Sequence, residues 1–584
     1  MRRLREPLLV VCTYTLLTIL FTYPTVLQLS THLPGKGGDT YVFVWNLWWI
    51  KKAVTELQTN PFWTDYLFYP KGVSLVFHTF VPLHGLLGIP LQALVGLVAA
   101  TNLINLLTFI LSGYGAYLLC RHLVADRLSA FIGGMIFAFC PYRFAHLPGH
   151  FNLTSTEWLP FFALALLKLA DADGRDRIRA PLWCAVLLLL IGLCDYYYLF
   201  YALLLAALFA VYRLWGEDSR TFLERDAPPL ATALGLFVVG FSPILAIAGL
   251  ELLREGRETL RGWGGATIYQ ADLLAYVTPS PLHPILGPLT RPIWGRFAGN
   301  IAEATVYAGF LPLTLGLVAV AKLRRGHPWV RFWSLSLATF FVLSLGPFPR
   351  ILGKAIRVIP LPYQLVMRTP VLNYLRVPSR CAIMVMLSLA VLAAFACRRM
   401  MDGTRGHRAR PLIAVALALA ISFEYFAVPF PMFQPSVPEI YRRMGSEPDG
   451  YTVLEVPLGW RTGLSKIGDF PPEFMYYQTV HEKSLVGGYV SRVPDEKIRK
   501  LEARPLLKTL LELQRDGRPS QAHSEMPVSA LISDLAALQI RYLVIHRPLD
   551  HSRVRAFVES RLPVEKIHED NGVLTFRVIA DLRR

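Results

Sequence analysis

The chain has 584 residues, 54% of them hydrophobic and 17% charged, with a formal net charge of +18. That balance excludes an ordinary soluble globular protein and points to a polytopic membrane protein. The positive excess lies in short Arg/Lys clusters between apolar runs, where it sets membrane orientation, so nucleic acid is not expected as a partner.

The chain opens with MRRLREPLLVVCTYTLLTILF, charged and then apolar like a secretory signal, but no small-residue cleavage pattern follows. It reads as a retained first span. Windows apolar enough to cross the hydrocarbon core fall at 8–28, 101–120, 128–142, 153–168, 181–195, 197–213, 229–249, 303–321, 330–346, 379–397 and 411–430. Residues 81–99 are apolar but interrupted by Pro82, His84 and Pro90. If they do not cross, the basic loops at 121–127, 168–179, 322–331 and 398–410 fall on the side of Arg2, Arg3 and Arg5. The segment is therefore expected to be re-entrant, which leaves about eleven spans, the N-terminus inside and the C-terminus outside.

This parity puts 29–100, 250–302, 347–378 and the chain beyond 434 on the outer face. The expected organisation is a mainly α-helical transmembrane domain over 1–433 followed by a soluble α/β domain over 434–584. Strand-like runs at 451–457, 541–546 and 573–579, with helical patterning at 495–515 and 528–538, support the second. All seven cysteines lie in or beside apolar runs and none forms a CxxC pair, so neither a disulfide framework nor a zinc cluster is expected.

The first outer loop carries GKGGDTYVFVWNLWWIKKA (35–53). Tyr41, Trp45, Trp48, Trp49 and Lys52 recur at helical spacing, which predicts an interfacial helix over 40–54 with Asp39 at its N-terminus. Asp39 is a candidate N-cap as well as a candidate catalytic carboxylate. Asp65, Tyr69, Lys71 and His78 follow, and His78 could take a proton or bind a metal. The stretch CPYRFAHLPGHFNLTSTEWLP (140–160) adds Arg143, His146, His150 and Glu157. Pro148 and Gly149 interrupt the i,i+4 histidine pair, which makes it a weak metal signal. In NYLRVPSR, Arg376 and Arg380 either grip phosphate oxygens or snorkel to headgroups. Tyr269, in the outer segment 250–302, is a further substrate-binding candidate.

GGD at 37–39, NLLTFILSGYGAYLLCRHL at 105–123 and LRVPSR at 375–380 resemble the type C glycosyltransferase superfamily. The tail runs YYQTVHEKSLVGGYVSR (476–492) and LQIRYLVIHR (538–547) resemble a group of bacterial integral membrane proteins. The superfamily resemblance implies a cell-envelope enzyme of the bacterial cytoplasmic membrane. It would move a sugar from a polyprenyl-phosphate donor to a glycan, lipid or protein acceptor on the outer face, with inversion. By position the base role falls on Asp39, while His78, Asp65 and Glu157 compete for a second role. Arg376, Arg380, His150, Tyr269 and Lys71 are the expected substrate-binding set, membrane lipids are partners, and a divalent metal stays open. A flippase for a lipid-linked glycan and a non-catalytic scaffold are the rival readings; the absence of an internal repeat weighs against the flippase.

Overall fold

Alanine, leucine and valine dominate the segment 382–397, and every residue of it is buried at the centre of the helical region. Against this helix, which runs Ala382–Asp402, pack Leu97–Val124, Arg127–Ala138, Phe310–Leu323 and Pro328–Ser344. The computed structural model describes residues 2–579 apart from 171–173, 175, 217–218, 257–264, 370–371, 404–408, 464, 517–525, 548–551 and 571. Parts of the basic loops 168–179 and 398–410 thus lie outside the described residues.

The peripheral helix Ala227–Glu255 packs against Asp176–Gly192 and leaves Val239 72% and Leu253 84% exposed. A continuous apolar face of this kind is unfavourable in water and is what a hydrocarbon-facing helix presents. Among the described residues five helices are long and apolar enough to cross a membrane: Leu97–Val124, Arg127–His146, Tyr196–Gly216, Phe222–Glu255 and Pro378–Asp402. The chain is a mainly helical, multi-pass membrane protein.

Several expected spans fold as shorter helices, including Trp158–Ala170 and Phe310–Leu323. The window 303–321 is split because Glu303 sits in a separate turn, Ile301–Ala304, and the chain re-enters helix only after Gly309 at φ +89°. The interrupted stretch 81–99 forms a helix, Pro82–Val95, that stops at Gly96 before the long helix Leu97–Val124 begins. At about 1.5 Å per residue its 14 residues fall short of a bilayer's hydrocarbon thickness. At one end of the helical region Glu6 accepts a hydrogen bond from Tyr117 Oη at 2.6 Å beside Arg121, and Asp126 faces Arg398 at 3.4 Å. Basic loops from both halves of the chain thus share one end with the N-terminus.

The aromatic helix is a correction to the sequence reading. It spans Asp39–Lys51, but ten of its residues are buried, with Trp45, Trp49 and Val44 essentially inaccessible. It lies between Pro82–Val95 and Glu473–His481 rather than along a bilayer surface. The reason is that two segments far apart in sequence supply its cover. Trp45 Nε1 donates to Gln478 Oε1 at 2.7 Å, and Gln478 Nε2 donates to the carbonyls of Tyr66 and Lys483. Lys52 is buried and paired with Glu482 at 2.6 Å and Glu56 at 2.8 Å.

The C-terminal strands form a five-stranded mixed sheet in the order Ser484–Leu485, Thr452–Val456, Ile540–His546, Val573–Val578, Val564–Glu569. The first three run parallel, Val573–Val578 runs antiparallel to Ile540–His546, and Val564–Glu569 runs antiparallel to Val573–Val578. The patterned stretch 495–515 is two helices, Asp495–Glu502 and Pro505–Asp516, broken just before Pro505. Val453, Leu543 and Phe474 share one core with Trp45, Trp48 and Trp49 of the first long loop. Leu33–Pro34 also pairs antiparallel with Met432–Phe433, so the loop and the chain after the last apolar helix are joined at both ends.

Candidate functional site

Where the loops 29–100 and 347–378 meet the C-terminal segment, a cavity of about 120 Å³ opens. Asp39, His78, His150, Arg376 and Arg380 line it, joined by Tyr197, Tyr374, Tyr489, Ser491 and Arg492.

Asp39 occupies the first helical position, and Gly38, at φ +64°, is the N-cap. No side chain caps this helix, so the carboxylate is not spent on its own backbone amides. Gly149, at φ +100°, closes over it so tightly that a Cβ there would meet Asp39 Cβ at 3.3 Å. Burial raises the Asp39 carboxyl above its ordinary value, while the Arg461 guanidinium and a hydrogen bond from Tyr489 pull it back. Tyr489 is itself pushed up to about 12, chiefly by burial, and stays a protonated donor.

His78 is buried, and the Ser491 amide donates to its Nδ1 at 3.1 Å. Burial lowers the ring to about 3, so it is neutral. With Nδ1 accepting, the proton is assigned to Nε2, which has no hydrogen-bond partner among the described residues. In this arrangement His78 presents Nε2–H to the cavity as a donor. Burial also lowers His150 to about 3.

The guanidiniums come from two directions. Arg376 lies just before the turn Pro378–Cys381 and Arg380 within it, and Tyr363 Oη fixes that approach by donating to the Leu375 carbonyl at 2.6 Å. Arg376 donates to the Gly463 carbonyl at 2.6 Å, and burial lowers it from its ordinary value, with Arg492 and Arg380 adding to the effect against Tyr197. Arg380 grips Glu303 through Nε at 3.0 Å and Nη2 at 2.5 Å and lies 4.8 Å over the Tyr197 ring. Arg492 lies 5.0 Å over Tyr374. One buried and two half-buried guanidiniums around one small void favour an anion entering it.

The remaining expected residues lie elsewhere. Glu157 is buried against His84 at 3.4 Å and is not among the cavity-lining residues. Lys71 is exposed, with its charge near Glu496. Tyr269 offers its carbonyl to the Ser379 amide at 3.1 Å and packs its ring against Gly299, outside the cavity. His146 is fully buried, its Nδ1 2.7 Å from the Tyr142 carbonyl, and Arg143 is consumed by the Ala138 and Thr154 carbonyls. Sequence reasoning missed Tyr197, Tyr374, Tyr489, Ser491, Arg461 and Glu303. The one usable signal was GGY at 487–489: a Cβ on Gly488 would meet the Phe68 ring at 2.6 Å, a close approach that brings the tail beside the first loop.

The family described as Domain of unknown function (DUF6311) matches residues 16–421. The chain belongs to that family. The match covers Asp39, His78, His150, Arg376 and Arg380 and ends before the segment that supplies Tyr489 and Arg492. No curated protein matches the sequence. Among solved structures this DUF6311 chain is similar to the arabinofuranosyltransferase AftD from Mycobacteria, with TM-score 0.59, 17% identity and coverage of 99% of this chain and 40% of AftD. It is also similar to the Archaeoglobus fulgidus oligosaccharyltransferase tethered with an acceptor peptide, with TM-score 0.51, 14% identity and coverage of 92% and 69%. The chain therefore spans about two-fifths of AftD's length. Its structural neighbours are type C glycosyltransferases, and it has their fold.

Proposed function

We propose that the protein is an integral-membrane glycosyltransferase that moves a sugar from a polyprenyl-phosphate donor to an acceptor at the outer face of the cytoplasmic membrane. The observation that carries this reading is the convergence of Asp39, His78, Arg376, Arg380 and Arg492 on one cavity. With about eleven spans, an inside N-terminus and an outside C-terminal domain, that cavity would open to the outer leaflet. The fold shared with known glycosyltransferases supports the assignment.

In the proposed step an acceptor hydroxyl gives its proton to the Asp39 carboxylate as its oxygen attacks the anomeric carbon. The bond from that carbon to the lipid phosphate oxygen breaks, and the phosphate leaves with the electron pair. Inversion follows from attack opposite the leaving group. Arg376 and Arg492 meet the phosphate, each charge-assisted contact being worth about 1.5–3 kcal/mol. Arg380 stays aligned by Glu303, and His78 donates Nε2–H to a donor oxygen. A divalent ion does not fit this cavity as built. Three guanidiniums share it, and among the described residues the ligating atoms of Asp39, His78 and His150 do not gather around one point.

The test is sugar transfer by detergent-purified protein from synthetic polyprenyl-phosphate sugars, with mass spectrometry of lipid-linked and surface glycans after deletion. Transfer in vitro and loss of a glycan in cells are expected. Unchanged glycans together with no transfer from any polyprenyl-phosphate sugar would refute the assignment.

A further inference from the structure

We propose that His84, Glu157 and Cys194 bind one structural zinc ion beneath the candidate active site. Their ligand atoms lie within 4.8 Å of one another, and all three residues are buried, at 3%, 3% and 4% exposure. Glu157 Oε1 stands 3.4 Å from His84 Nε2, and Glu157 Oε2 has no hydrogen-bond partner among the described residues. The Arg143 guanidinium acts on Glu157 from a distance, but the unsatisfied carboxylate oxygen leaves a place for a directly bound cation, and an imidazole and a thiol stand beside it.

The donor chemistry selects the metal. Thiolate and imidazole with a single carboxylate suit zinc, whereas magnesium and calcium require oxygen ligands. Ser155 Oγ lies 3.3 Å from His84 Nε2, donates to the Phe151 carbonyl at 2.8 Å, and is a neighbouring oxygen for a fourth ligand. Binding releases the Cys194 thiol proton to solvent and forms the zinc–sulfur bond, with no change of oxidation state.

The three ligands come from three segments: the first turn of Pro82–Val95, the residue before Trp158–Ala170, and the corner after Asp176–Gly192. Leu83 N–H already bonds the Leu193 carbonyl at 3.2 Å, so the segments are in register without the ion. Cys194 also lines a void of about 40 Å³ that shares His78, Tyr197 and Arg380 with the larger cavity. An ion here would hold the His78–Pro82 segment against the Tyr197 helix without touching substrate. This proposal does not depend on the transferase reading.

The experiment measures metal content of the full-length protein, purified in detergent without chelator, by elemental mass spectrometry. It also follows cobalt substitution by the thiolate-to-cobalt charge-transfer band. One zinc per chain is expected, with zinc and the cobalt band lost in Cys194→Ser and zinc lost in Glu157→Gln, while both variants elute as wild type. Chelation should lower the wild-type Tm and leave that of Cys194→Ser unchanged. If His84 and Glu157 form a simple ion pair, the wild type carries no stoichiometric zinc and shows no cobalt band. That result, or full zinc retention in Cys194→Ser, overturns the proposal.

Discussion

Replacing Asp39 with asparagine separates catalysis from helix stability. The asparagine keeps the shape of the side chain and an oxygen that can accept from Tyr489. Because Gly38 is the N-cap and no side chain caps the helix, the stability lost is limited to charge–dipole attraction, about 0.3–1 kcal/mol, plus the attraction of Arg461. Against this, burial raises the carboxyl, so the ionised group opposes folding as pH rises through its folded-state value. Removing that charge offsets the loss, and the net change in stability at neutral pH is expected within about 1 kcal/mol. Losing a general base costs about 10²–10⁴-fold in rate, or about 2.7–5.4 kcal/mol in the barrier. The assay is transfer of radiolabelled sugar from a synthetic lipid-phosphate donor, run beside thermal unfolding of the same preparation. Activity of Asp39→Asn within about threefold of wild type, a barrier change under about 1 kcal/mol, would refute the catalytic role. Activity lost in proportion to folded protein would refute the separation.

If Asp39 is the base, transfer should fall as pH drops through its raised value, and Arg461→Ala, which removes the cation that lowers it, should move that limb to higher pH; an unmoved limb contradicts the coupling. Arg376→Ala should weaken binding of the lipid-phosphate donor about 10- to 150-fold with little change in Tm, and unchanged affinity would return it to the class of snorkelling arginines. His78→Gln keeps an N–H donor and should retain more kcat/KM than His78→Ala, the gap being up to about tenfold, as one neutral hydrogen bond allows; equal rates would remove the donor role. Glu303→Gln leaves Arg380 buried and should destabilise the protein by about 3–5 kcal/mol, whereas pairing it with Arg380→Met should recover much of that loss, and additive losses in unfolding would contradict the ion-pair account.

The membrane class, the aromatic helix and the three clearest C-terminal strands were legible in the chain, because apolar windows, helical spacing and alternation act locally. Asp39 and the Arg376–Arg380 pair could be named for the same reason: each sits in a short stretch whose composition is unusual for its place. Tertiary structure decided what covers those stretches. Tryptophans at helical spacing look alike whether lipid or protein surrounds them, and it took Gln478, over 400 residues away, to bury Trp45. Arg492 and Ser491 reach the Asp39 cavity, and Glu157 leaves it for His84 and Cys194, through contacts that no spacing rule encodes. Periodicity is a property of neighbours along the chain, whereas a pocket is made by the packing of distant segments, and its geometry exists only once they have met.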